Sequence, residues 1–142
     1  MTTAKKVLLV GDCGGALGES EGPVRRVAVD VRTAGSGTEA LALHRAQNAD
    51  LIVTDLDLVD MTAQHLCETV RGDERLRNVS LLVLCSPEES ERQRAAECRA
   101  NAHIVRPVDS EALANQVARL LEIPPRASFR VLARLTVGGR DG

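Results

Sequence analysis

The sequence predicts an α/β domain, a doubly wound five-stranded parallel sheet with helices on both faces. Three observations carry that expectation. A strand-like run followed by a helix-like stretch repeats five times in about 120 of the 142 residues, the rhythm of parallel strands joined by right-handed crossovers. Most strand candidates are short unbroken apolar runs, which suits strands buried on both faces. Aromatic residues are nearly absent, with one Phe and no Tyr or Trp, so the core must be Leu, Val, Ile and Ala.

The first strand is Val7 to Val10, ending at Gly11-Asp12. Residues 13–26 contain Gly14, Gly15, Gly18, Gly22 and Pro23, all of which oppose a regular helix. Val27, Val29 and Val31 alternate as a second strand ending near Thr33. After the turn Gly35-Ser36-Gly37, a helix opens at Thr38 and runs to about Gln47. Leu51 to Thr54 is the third strand, with Asp55 at its carboxyl end, and a loop from Leu56 to Met61 leads into a helix from about Thr62 to Arg71. Leu81 to Leu84 is the fourth strand, ending at Cys85-Ser86. Pro87, followed by Glu88 and Glu89, reads as a first helical turn, and that polar helix, with Arg92, Arg94 and Arg99, extends to about Ala100. Ile104-Val105 is a short fifth strand stopped by Arg106-Pro107. Asp109 or Ser110 caps the last helix, whose Leu113, Val117, Leu120 and Leu121 form an apolar stripe.

The length fits one compact domain, residues 1–122, and a short segment, residues 123–142, opened by the Pro124-Pro125 linker. A net charge of −2 gives no basic field for nucleic acid. No apolar run approaches the ~20 residues that span a bilayer, and the start lacks a signal-peptide layout, so the expected setting is the cytoplasm. Cys13, Cys67, Cys85 and Cys98 form no C-x-x-C pair, and His44, His65 and His103 are scattered. Reduced thiols packed as small hydrophobes are the expectation.

In such sheets functional groups collect where the strands end. Asp12, Asp55, Cys85 and Arg106 all stand at such ends. Taken in order, Val7 to Asp12, Asp55 after its apolar strand, Leu81 to Ser86, and Val105-Arg106-Pro107 resemble the receiver domains of two-component response regulators, over roughly residues 5–122. The resemblance implies a flavodoxin-like (βα)5 sheet with strand order 2-1-3-4-5. It also implies a signalling module rather than an enzyme, with Asp55 as phosphoacceptor. Mg²⁺ would be held by Asp12, Asp55 and the backbone carbonyl of Asp57, and Arg106, Cys85 and Ser86 would hold the phosphoryl group. The implied partners are a histidine kinase or phosphotransfer protein and a downstream protein or output domain, with self-association through the last helix left open.

The chemistry explains these residue types. A carboxylate oxygen attacks phosphorus. The charged group in transfer needs a hard cation with oxygen ligands and a second cation opposite it. The chain departs from the family in several places. Gly11 stands where the family has a first acid, so Mg²⁺ should bind weakly. Arg106 replaces lysine, a swap that changes shape and donor geometry. Cys85 replaces a Ser or Thr donor, with Ser86 beside it. His103 replaces an aromatic switch residue, and Val59 and Ala63 replace Pro and Gly in the loop after the acceptor.

Each feature has a plainer reading. A strand-end Asp is often a turn or cap residue, Cys85 is either a redox thiol beside Arg106 or a tolerated small residue, His103 is packing, and the Arg-rich helix is a solvated face. A receiver that needs no phosphate and serves as a docking module is the rival function. A flavin or nucleotide site at Gly14-Gly15-Ala16-Leu17-Gly18 is a third reading, but it leaves the carboxylates unexplained. In the tail, Arg126, Arg130-Val131 and Arg134-Leu135 resemble the opening of a PilZ domain, which binds cyclic di-GMP. A solvated basic tail accounts for them equally, and no nucleotide binding is expected of this chain.

Overall fold

The computed structural model describes residues 5–11, 30–106 and 110–121. Five parallel strands, β1 (Lys6–Val10), β2 (Asp30–Ala34), β3 (Leu51–Asp55), β4 (Ser80–Cys85) and β5 (Ala102–Val105), form one sheet in the order β2-β1-β3-β4-β5. Four described helices accompany it: α1 (Gly37–Ala46), α2 (Ala63–Arg71), α3 (Glu89–Glu97) and α4 (Ser110–Leu120). The glycine-rich stretch, the beginning of the expected second strand, Asp109, and the linker and tail lie outside the described residues.

Strand pleating divides the core in two. Leu8, Val10, Ile52, Leu81 and Val83 face one side, where Leu41 of α1, Leu66, Cys67 and Val70 of α2, and Ala95 of α3 pack on them. Val7, Leu9, Leu51, Val53, Leu82 and Leu84 face the other, against Leu113, Val117 and Leu121 at the end of the chain's described part. This is why the strands read as unbroken apolar runs. Each fully buried Leu, Ile or Val contributes roughly 1.5–3 kcal/mol, so the sheet interior is the rigid frame. Of the last helix's expected stripe, Leu120 is only partly buried, and its carbonyl accepts from Ser80 Oγ at 3.3 Å.

The helix starts show why some boundaries move. Ser36 caps α1, accepting from Glu39 N–H at 3.1 Å, while Glu39 reaches back to Gly35 N–H at 2.8 Å, a reciprocal arrangement of the capping-box kind. Thr62 caps α2 from outside it. The expected first turn at Pro87 is corrected: Glu88 is the extended N-cap, α3 begins at Glu89, and Pro87 precedes the helix. The same helix stops at Glu97 rather than near Ala100, because Cys98 turns extended, with ψ of 151°. Ser110 is inside the last helix rather than its cap. β2 runs one residue past Thr33, to Ala34.

The amino edge of the sheet is tied by polar side chains. Arg71 donates to the carbonyls of Arg99 (3.2 Å), Arg77 (2.6 Å) and Val79 (2.6 Å) and to Asn101 Oδ1 (2.8 Å). That same Asn101 oxygen accepts from Leu81 N–H at 2.7 Å. His44, 2% exposed, accepts from Ala49 N–H on Nδ1 at 2.9 Å and lies 3.0 Å from the Leu76 carbonyl on Nε2. This geometry fixes the neutral tautomer with hydrogen on Nε2. Cys67, Cys85 and Cys98 are buried and free, and burial pushes the Cys67 thiol up to about 12, so they pack as small hydrophobes.

Candidate functional site

Parallel register decides which residues meet at the carboxyl edge. Val10 pairs with Thr54, Asp55 with Leu84, and Cys85 with Val105. Gly11, Asp55, Cys85 and Arg106 therefore end adjacent strands, spaced by about 4.8 Å from one to the next. Asp55 closes β3 and is only 9% exposed. Its main-chain carbonyl accepts from the Thr54 hydroxyl at 3.0 Å.

Gly11 has φ of +81°, and its N–H donates to the Ala34 carbonyl at 2.7 Å. A Cβ added there would lie 3.1 Å from Asp55 Oδ2 and 2.8 Å from Leu58 Cδ2. The position therefore does more than lack a carboxylate. Its backbone is left-handed, and Asp55 and Leu58 occupy the space a side chain would need. Asp12, the other expected acid of the first strand's end, lies outside the described residues. Among the described residues, no group of three or more His, Cys, Asp or Glu side chains could hold a metal ion.

The Asp57 carboxylate is engaged by α3. Arg94 donates to it from both terminal nitrogens, at 2.6 and 3.3 Å. That hydrogen bond outweighs an opposing desolvation effect and holds Asp57 below its ordinary value. The loop carrying Asp57 is closed on itself, with Leu58 N–H on the Met61 carbonyl at 2.9 Å and Ala63 N–H on the Leu56 carbonyl at 2.8 Å. Asp60 fastens it to α1, accepting from Gly37 N–H (2.8 Å), Thr38 N–H (2.9 Å) and the Thr38 hydroxyl (2.5 Å). Those three donors stabilise the ionised form and lower the Asp60 pKa.

Cys85 is fully buried on β4. Desolvation and, next, the charge of Glu91 raise its pKa, which keeps the thiol protonated and disfavours the redox reading. The Ser86 hydroxyl accepts from Glu88 N–H at 3.3 Å, and the Ser86 N–H donates to Glu91 Oε1 at 2.9 Å. The Ser86 N–H first, and the Ser86 side chain next, hold Glu91 below the usual carboxylate range. Arg106 donates its main-chain N–H to the Cys85 carbonyl at 2.8 Å, and its guanidinium Nη2 stands 3.9 Å from the same Glu91 Oε1. Its Nε is buried without an acceptor among the described residues.

The structure thus gathers Asp55, Cys85, Ser86 and Arg106 at one edge, with Asp57 on the adjoining loop. Glu91, Arg94 and Asp60 also belong to this region and escaped the sequence reading. Glu91 had a local signal, being the third residue of a helix, but Arg94 and Asp60 meet partners far away in the chain. His103, expected as packing, is instead exposed on the edge strand β5. The helix face is solvated as expected, and Arg94 on it also reaches Asp57.

Known proteins resemble this arrangement. The profile of the response regulator receiver domain matches residues 7–118. Chemotaxis protein CheY of Pseudomonas aeruginosa is 32% identical over 92 residues, covering 63% of this chain and 73% of that protein. A response regulator from Chloroflexus aurantiacus superposes with a TM-score of 0.75 at 26% identity, covering 84% of this chain and 99% of its own. The receiver domain of a Pseudomonas aeruginosa sensor histidine kinase, solved with magnesium coordinated in its active-site cleft, shares the fold at a TM-score of 0.75 and 20% identity, covering 84% of this chain and 99% of its own. With residues 7–118 inside the profile and the sheet in matching order, this chain belongs to the response regulator receiver domain family.

Proposed function

We propose that Asp55 accepts a phosphoryl group from a phosphohistidine donor, a histidine kinase or phosphotransfer protein, in the cytoplasm. The observation that carries this reading is a carboxylate at the end of β3, 9% exposed, with Ser86 and Arg106 beyond the ends of the next two strands. An Asp55 carboxylate oxygen attacks phosphorus, the nitrogen–phosphorus bond of the donor breaks, and the donor imidazole leaves as the acyl phosphate forms. The Arg106 guanidinium and Ser86 N–H are suited to the new phosphoryl oxygens. The altered charge then biases the face built from α3, β5 and α4, which a downstream protein or output domain reads.

The described donors for magnesium are oxygens of the kind it prefers: the Asp55 carboxylate and the Asp57 backbone carbonyl, with Asp12 the further candidate. They suit the ion in chemistry but supply few of its roughly six ligands, so water would complete the shell and affinity would be low. When bound, magnesium would neutralise phosphoryl charge next to the Asp55 carboxylate.

The test is Mg²⁺-dependent labelling by acetyl phosphate, read by intact mass. Asp55→Asn should abolish it, and equal labelling of variant and parent would refute the assignment. A phosphorylation-independent docking module is the second reading, favoured by the left-handed Gly11 packed against Asp55. It predicts that Asp55→Ala retains partner binding and signalling output.

A further inference from the structure

Glu91 and Glu39 look alike as helix-start residues. Each is the third residue of its helix, and each carboxylate accepts from a main-chain N–H ahead of that helix, Ser86 for Glu91 and Gly35 for Glu39. They differ in what else the carboxylate meets. Among the described residues, no ion pair involves Glu39. A single oxygen of Glu91, Oε1, sits 2.9 Å from Ser86 N and 3.9 Å from Arg106 Nη2. A main-chain amide and a guanidinium converging on one oxygen form the donor set that phosphate oxygens also take. Ser86 and Arg106 each follow one member of the Cys85–Val105 pair, so this seat spans the ends of β4 and β5, beside the strand that ends in Asp55. Both charged side chains keep contact with solvent, at 29% exposure for Arg106 and 27% for Glu91, so a dissolved anion can reach them.

We infer that Glu91 is a resident anion in the phosphoryl seat, and that an incoming phosphoryl or phosphate oxygen gains Ser86 N–H and Arg106 only by displacing it. Glu91 is thereby a specificity-determining residue: it excludes weak anions and admits one that also bonds Asp55. Its displacement releases the first turn of α3 from the ends of β4 and β5, while the Arg94–Asp57 pair still ties that helix to the loop after β3. The biological meaning of the seat rests on the Asp55 reading, but the seat is testable without it.

The experiment is a titration of the full chain with inorganic phosphate, followed at the Ser86 amide and the Arg106 Nε–H by nitrogen-15 NMR, for the parent and for Glu91→Gln. Glutamine retains an oxygen that can accept from Ser86 N–H and loses the charge on Arg106. Phosphate should bind the variant about tenfold more tightly, with both signals shifting together. Equal affinity in the two proteins would overturn the inference and leave Glu91 a helix cap. Acetyl phosphate labelling, run in parallel, separates this from the acceptor assignment. Tighter phosphate binding without any Asp55 labelling keeps the seat and removes the acceptor. Labelling of Asp55 with no phosphate difference keeps the acceptor and removes the seat.

Discussion

At the amino edge of the sheet, Arg71 directs its guanidinium to three main-chain carbonyls and one side-chain amide. At the carboxyl edge, Arg94 and Arg106 face carboxylates instead, Asp57 and Glu91. The difference separates scaffold from site. A main-chain carbonyl in a turn or at a strand entrance cannot be traded for a solute without moving the chain around it. A carboxylate on an exposed or half-exposed side chain can be replaced by another anion at the cost of a rotamer change. The two edges use the same residue type, once to fix loops to the sheet and once to hold a charge that is open to competition.

Breaking the amino edge should have the largest effect. Arg71→Ala removes donors to Arg99, Arg77, Val79 and Asn101 together, and should cost about 3 kcal/mol by urea denaturation. A loss under about 0.5 kcal/mol would show that solvent replaces these bonds and that the contrast between the edges is overstated. His44→Ala should follow at about 2 kcal/mol, since it leaves the Ala49 N–H and the Leu76 carbonyl without their buried partner.

At the carboxyl edge, Gly11→Asp would return an acid to the position the family resemblance assigns to one. It should nonetheless destabilise the fold by about 1–2 kcal/mol, because the left-handed backbone and the contact with Leu58 must be accommodated first. Urea midpoints with and without millimolar Mg²⁺ would show this. A variant as stable as the parent without metal would mean that the edge yields readily to a side chain at this position.

Arg94→Ala should be the mildest, at most about 1 kcal/mol, since the pair is exposed and screened by solvent. Its signature is in the pH profile. Asp57 and Asp60 are both held below the ordinary value of 3.8, so their contribution is complete above that pH and is lost as pH falls through the folded-state values. Arg94→Ala should remove the Asp57 part of this acid-side loss and leave the Asp60 part, which rests on Thr38 and Gly37. An unchanged acid limb in urea midpoints would show that the pair does not stabilise the fold.

The sheet was legible because burial on both faces writes itself as runs such as Leu51 to Thr54, and because strand ends carry the polar residues Asp55 and Arg106. The helix starts were less so. Pro87 suits a first turn by propensity, yet the cap falls on Glu88, where Ser86 and Glu91 organise the turn ahead of the helix. The site was legible as a set of strand-end residues but not as a set of contacts. Asp57 reads as a metal-binding position, and its engagement with Arg94, 37 residues away, is a tertiary fact. Gly11 reads as a missing acid by the family resemblance, while its positive φ and its closeness to Asp55 and Leu58 are visible only in the structure.

The Asp60 fastening has a directional consequence. The loop after β3 is bonded to the start of α1 by three donors, and the Met61 side chain fills the space beside Gly37 where a Cβ would go. One jaw of the cleft is therefore anchored to the body of the protein. The opposite jaw, α3, buries only Ala95 along its length, with Cys98 at its end. The two jaws thus differ in how firmly they are held, and the loosely packed one lies beside the edge strand β5 and its exposed His103.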